Sequence, residues 1–101
     1  MSRLVVTPEA ETDINDILDH LVQHAGTSVA TAYGSKFRRS IERLLEFPGL
    51  GVRRPALGAN ARIAIVPPYV LIYDYPDTAD TLTLLRVLHG KRDITRRLIR
   101  S

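Results

Sequence analysis

Few side chains in this sequence have both the type and the placement to do chemistry, and most of them are basic. The stretch "TLTLLRVLHGKRDITRRLIR" begins as an apolar, β-branched run and ends as a block of arginines, with Arg86, His89 and Gly90 at the join. A guanidinium on a strand must meet an anion or water, because burying it unpaired costs several kcal/mol. Arg86 is therefore read either as a phosphate or carboxylate clamp, for which the arginine fork is well shaped, or as an internal partner of Asp74 or another acid. His89 has the chemistry of a general base near neutral pH, although no Ser, Glu or Cys close in sequence makes a catalytic pair with it; a structural hydrogen-bonding role is the plainer reading.

The other candidates are weaker. His20 and His24 stand four residues apart, with Asp16 one turn earlier, a spacing that can hold a metal. They fall beside the apolar stripe of their helix and lack a third ligand, so they read as a solvated face and no metal is expected. Arg53 and Arg54 belong to a polar loop, whereas Arg62 opens a strand. No glycine-rich phosphate loop, metal-ligand cluster or Ser/His/Asp pattern is present, and no cofactor is implied.

Composition narrows the class. The chain has 101 residues, 45% apolar and 25% charged, without cysteine. That balance is globular and the length suits one domain over residues 1–101. No apolar run reaches the ~20 residues of a membrane helix, and no signal-peptide core appears; a reducing cytoplasm is expected and no membrane partner. The formal charge of +3 is unevenly spread: residues 1–50 carry five basic and seven acidic groups, residues 51–101 nine and four. A basic half implies an anionic partner, either nucleic acid or an acidic protein segment. Sequence-specific nucleic-acid binding is not expected, since no binding motif or aromatic interleaving accompanies the arginines.

The elements that must position these groups follow from periodicity. "RLVVT" predicts a strand. Thr7 then caps a helix with Pro8 at its first position and Glu9 and Glu11 in its first turn. Its apolar stripe runs through Ala10, Ile14, Ile17, Leu18, Leu21, Val22 and Ala25, and Gly26 ends it. A second helix carries Val29, Tyr33, Phe37, Ile41, Leu44 and Leu45 on one face and stops before Pro48. After a Gly/Pro connector, "ARIAIV", "YVLIYDY" and "TLTLLRVLH" predict three strands joined as hairpins. The order β-α-α-β-β-β is α+β: a helical hairpin on one face of a mostly antiparallel twisted sheet, with a short C-terminal helical segment. Alternation along the last strand pairs Leu85 with Val87 on one face and Leu84, Arg86 and Leu88 on the other, so Arg86 is expected on the open, concave face.

Four stretches together resemble the RelE/ParE superfamily over nearly the whole chain. Pro8, Ala10, Asp13, Ile14 and Ile17 match the first-helix pattern of its ParE toxins. Leu44, Pro48, Gly51 and Arg54 match the connector, and Arg62, Tyr69, Leu71 and Tyr73 the strand pair. The closing Arg-Val-Leu-His-Gly-x-Arg-Asp runs from Arg86 to Asp93. The resemblance implies the toxin of a type II toxin–antitoxin system, inhibiting bacterial growth from the cytoplasm. It implies a ParD-like antitoxin in a hetero-oligomer and DNA gyrase as target, bound without chemistry of the toxin's own. Antitoxin or target contacts are then expected at Arg54, Arg62, Arg86, Lys91, Arg92, Arg96 and Arg97, and at exposed positions of the helical hairpin. The alternative within the superfamily is a RelE-like ribosome-dependent mRNA endoribonuclease, with Arg62 and Arg86 on phosphate and His89 as base. The chain lacks that group's lysine-rich set, having only Lys36 and Lys91, and no Tyr follows the last strand. An inactive decoy is a third reading.

Overall fold

A computed structural model of the chain describes residues 2–92, 94, 95 and 99. Strand β1 (Arg3–Val6) leads into helix α1 (Pro8–Ala25) and helix α2 (Thr27–Glu46). A 3-10 turn (Pro48–Leu50), strand β2 (Val52–Arg53) and a second 3-10 turn (Pro55–Leu57) fill the connector. Strands β3 (Ala61–Val66), β4 (Tyr69–Asp74) and β5 (Thr81–His89) complete a five-stranded sheet of order β1-β5-β4-β3-β2. β1 runs parallel to β5 and every other pairing is antiparallel. The two-residue β2, hidden in the Gly/Pro connector, is the strand that periodicity did not predict.

The helices begin and end where their caps dictate. Thr7 Oγ1 accepts the Ala10 N–H at 3.0 Å, satisfying one of the first-turn donors that have no partner within the helix. Gly26 closes α1 through bonds from its N–H to the Leu21 and Val22 carbonyls and is also the N-cap of α2. Its φ of 95° is a conformation that side-chain-bearing residues rarely adopt, so one glycine turns the chain through the whole hairpin.

The hairpin packs on one face of the sheet. Phe37 and Leu44 of α2 and Ala10 of α1 meet Tyr69, Leu71, Tyr73, Leu82, Leu84 and Val87, with Ile14, Ile17 and Leu18 against them. Ala10 is fully buried, and its small side chain lets α1 approach the sheet. Val22 and Ala25, expected in the stripe, are exposed at the end of α1.

The expected faces of β5 need correction. The β4–β5 register shifts at Ile72/Tyr73: Arg86 stands opposite Ile72 while Leu84 stands opposite Tyr73, leaving Leu85 as the extra residue of a bulge. Leu84 and Val87 therefore share the helix face, and Leu85 and Leu88 the other. That second face is not an open concavity. Val70, Ile72 and Leu88 are buried there, with Leu57, Ile63, Leu85, Ile94 and Ile99 packed against them. The expected C-terminal helical segment with Arg96 and Arg97 lies outside the described residues.

Candidate functional site

Arg86 meets a carboxylate of its own chain. Its Nε and Nη2 donate to Asp13 Oδ2 and Oδ1 at 2.7 and 2.9 Å, and the Val87 N–H donates to the same Oδ2 at 2.9 Å. β1 ends opposite Leu84, so the edge of β5 beyond it is bare. Thr7 covers the first step, with its N–H on the Leu84 carbonyl and its Oγ1 on that of Leu85, and Asp13 covers the next. Both charged side chains are largely buried, at 17% and 13% exposure. Hydrogen bonding to Asp13 raises the Arg86 pKa above its usual value against the lowering effect of desolvation, and the charges of Asp13 and Glu9 add to the rise. The expectation of an open-face anion clamp is thus corrected: the acid is internal, and it is Asp13 rather than Asp74. Arg86 stands opposite Ile72 and meets Asp13 where the strand edge is bare, beside the Val87 N–H. Asp74 stands instead opposite Ala61 and Thr83, and burial raises its carboxyl pKa.

Arg62 also serves the fold. It lies opposite Tyr73, on the helix-covered face, and donates to the Gly51 and Gly49 carbonyls at 2.8 and 3.3 Å. Tyr73 holds the same turn from beside it: its hydroxyl donates to the Pro48 carbonyl at 2.6 Å and accepts the Gly51 N–H at 2.9 Å. A Cβ on residue 51 would collide with the Tyr73 hydroxyl and lie 2.6 Å from its Cε1, which is why the connector needs glycine here. Burial raises the Tyr73 pKa, outweighing the bond from Gly51 and the nearby Arg62 charge.

His89 is exposed at the far end of β5, opposite Tyr69. Its Nδ1 accepts the Lys91 N–H at 3.1 Å, and its ring stands edge-on to Tyr69 at 5.8 Å. Arg62 and His89 therefore sit opposite positions 73 and 69 of β4, about 13 Å apart along the strand at ~3.3 Å per residue. Arg54, Lys91 and Arg92 are exposed; Arg54 and Arg92 flank one notch over Val70. His20 and His24 stack at 4.3 Å on the exposed side of α1, and no group of three or more metal-ligating side chains occurs among the described residues. No helix among them is long and apolar enough to cross a membrane.

A further collection of cations lies on α2, where Lys36, Arg39 and Arg43 line a groove along β3. Sequence reasoning passed over these residues. Their spacing of three and four places them in one row beside the apolar stripe, a signal present in the sequence.

The links Asp13–Arg86 and Pro48–Gly51–Tyr73–Arg62 join segments far apart in sequence into one frame. A family model describing the ParE toxin of the type II toxin–antitoxin system parDE matches residues 4–94, which takes in every one of these positions. The chain belongs to the ParE toxin family. It is 26% identical to Toxin ParE3 of Caulobacter vibrioides over 98 residues, covering 97% of this chain and 96% of that one. Its fold is similar to a chain of the chromosomal ParDE toxin–antitoxin system from P. aeruginosa, at 20% identity and a TM-score of 0.75, covering 90% and 98% of the two chains. It is similar, more distantly, to a chain of the RelBE2 toxin–antitoxin complex from Mycobacterium tuberculosis, at 22% identity, a TM-score of 0.54 and 87% and 96% coverage. This ParE-family chain thus has the superfamily's α+β fold, two helices on a five-stranded mixed sheet, and is a toxin of the type II class.

Proposed function

We propose that this ParE-family toxin acts on DNA gyrase in the bacterial cytoplasm, trapping the enzyme on DNA without chemistry of its own, and is neutralised by a ParD-like antitoxin. The observation that carries the reading is the dispersal of the groups a nuclease would need. General-base attack on a phosphodiester requires the base, the phosphate cations and the leaving-group acid around one phosphate. Here Arg62 is engaged with the connector, Arg86 with Asp13, and His89 stands about 13 Å along the sheet from Arg62. Apolar residues fill the sheet face that would otherwise hold RNA.

Partner contacts are assigned to the exposed cations Arg54, Lys91 and Arg92, with Arg96 and Arg97 beyond the described residues. Arg62 and Arg86 contribute by holding the frame. The antitoxin reading rests on the family and on the basic half of the chain.

A supercoiling assay with purified gyrase and toxin released from its antitoxin tests the proposal. Inhibition with accumulation of cleaved DNA is expected. No effect from folded toxin, together with mRNA cleavage on ribosomes, would replace it with the nuclease reading.

A further inference from the structure

The sheet ends at β1, which has β5 on one side and no strand on the other among the described residues. The Arg3 and Thr7 N–H groups donate to the Asp80 and Leu84 carbonyls. Odd-numbered residues of β1 therefore turn their main-chain groups towards β5, and even-numbered ones turn theirs away. Ser2, the first even position, is met by the end of α2, its N–H donating to the Leu45 carbonyl at 3.0 Å. The N–H and C=O groups of Leu4 and Val6 have no main-chain partner among the described residues.

Side chains distinguish this edge as well. Leu4, Val5 and Val6 are between 37% and 40% exposed. Natural edges are blunted by charges, proline or a bulge. Here Arg3 at the start is the one charge in the strand, and the register with β5 is unbroken. Leu4 opens onto an almost wholly apolar notch of about 320 Å³, lined by Ile14, Phe37 and Ile41 among others. The charged side chains at its rim are Arg38 and Glu42, one of each sign and one turn apart on α2. Neither is in an ion pair among the described residues.

We infer that this edge receives β1 of a second copy of the chain, antiparallel about a two-fold axis through Val5. In that register Leu4 of one copy stands opposite Val6 of the other and exchanges both main-chain bonds with it. Symmetry repeats the pair, so every outward group of the two strands is used. Leu4 and Val6 lie on the helix-covered face, beside Leu82 and Leu84, so their side chains meet at the mouths of the two notches. The two Arg3 side chains are held about 13 Å apart, four strand steps, and do not oppose one another. The axis also reverses α2 of the second copy, which brings Arg38 of one notch towards Glu42 of the other. An acidic partner gains nothing from a rim whose charges cancel, whereas a copy of the same rim is its complement. The basic groove along β3 is at the opposite side of the sheet and stays open in such a dimer. The pairing is short, so the dimer is weak and governed by concentration. It does not depend on which target or antitoxin the toxin meets.

Sedimentation of the full chain, with amide exchange on the same samples, tests the inference. The mass is expected to rise from 11.3 kDa towards twice that value as concentration increases. Exchange at Leu4 and Val6 is expected to slow by about tenfold or more over the same range, while Val5, turned towards β5, stays constant. Val6→Pro removes one outward N–H, leaves the bonds to β5 in place and should abolish the dimer. Glu42→Arg should weaken association by about tenfold, and Arg38→Glu/Glu42→Arg should restore it. Thermal unfolding checks that the variants fold, and exchange in the unaltered chain decides even if one does not. A chain that stays monomeric, with Leu4 and Val6 exchanging equally fast at every concentration, would overturn the inference. A dimer in which those two amides remain unprotected would overturn the choice of edge. Protection that appears only when antitoxin is added would overturn the choice of occupant.

Discussion

Asp13 on α1 and Arg86 on β5 are 73 residues apart in sequence and form a two-pronged ion pair that also closes the bare edge of β5 at Val87. The pair joins the helical hairpin to the sheet at the point where β1 has ended. A charge left alone there is costly, because both groups are mostly removed from water.

Asp13→Ala and Arg86→Ala are each expected to destabilise the chain by about 3 kcal/mol, a loss typical of breaking one half of a buried pair. Together they should cost much less than their sum, which a double-mutant cycle by denaturant unfolding measures directly. Arg86→Lys should recover only part of the loss, since an ammonium cannot span both carboxylate oxygens. Additive losses would show that the pair is not coupled.

Gly51 and Tyr73 give a second expectation. Tyr73→Phe leaves the Gly51 N–H and the Pro48 carbonyl without their partner and should cost about 1–3 kcal/mol. Gly51→Ala drives a methyl group into the tyrosine ring and should cost more than Tyr73→Phe. Calorimetric midpoints of the two variants rank them; an unchanged midpoint for Gly51→Ala would contradict the close approach.

The Tyr73 hydroxyl also sets a pH dependence. Burial raises its pKa above the ordinary 10.0, so the folded chain resists ionisation that the unfolded chain accepts. The stabilisation is complete below pH 10 and falls as pH rises from there through the folded value. Urea unfolding between pH 9 and 11 should show this decline, and Tyr73→Phe should reduce it. Tyr69, whose pKa burial also raises, accounts for part of the remainder.

His89→Gln should leave both stability and toxicity nearly unchanged, because the ring is exposed and its recorded hydrogen bond is to the Lys91 main chain. Growth inhibition in a bacterial host reads this out beside the midpoint of unfolding. Loss of a general base would instead lower a reaction rate by ~10²–10⁴-fold and relieve toxicity while the fold persisted.

Much of the architecture was legible. Thr7, Pro8 and Gly26 announce the ends of α1, and alternation marks β3 and β4 within a residue of their observed limits. Arg86 was legible only in part: the register sets it opposite Ile72 and on the side of Leu88, as alternation expects, but its acid lies 73 residues away on α1 and no local signal names Asp13. Strict alternation also assumes an unbroken ladder, and one extra residue at Leu85 puts Leu84 with Val87 and Leu85 with Leu88. Nothing local in "LLRVLH" declares a bulge. The cover of the second sheet face was legible in part: Ile94 and Ile99 fall at helical spacing in "KRDITRRLIR" and read as docking onto the sheet, whereas Leu57 in the connector carries no such signal. The family pattern did contain the answer in another form: Asp13 and Arg86 are both in it, as are Pro48, Gly51, Arg62 and Tyr73. Those positions touch one another in two groups, so this part of the pattern records contacts that hold the fold.

The parallel pairing of β1 with β5 sets a timetable for synthesis. Arg3 aligns with Thr81, so the first strand made must wait for the last. At ~5–20 residues per second, β1 is made roughly 4–16 s before its neighbour in the sheet. Through that interval Leu4, Val5 and Val6 have no native strand to join, and the helical hairpin has only part of its floor. A protein that harms its host is thereby assembled last at its centre, with β5 the keystone of the sheet.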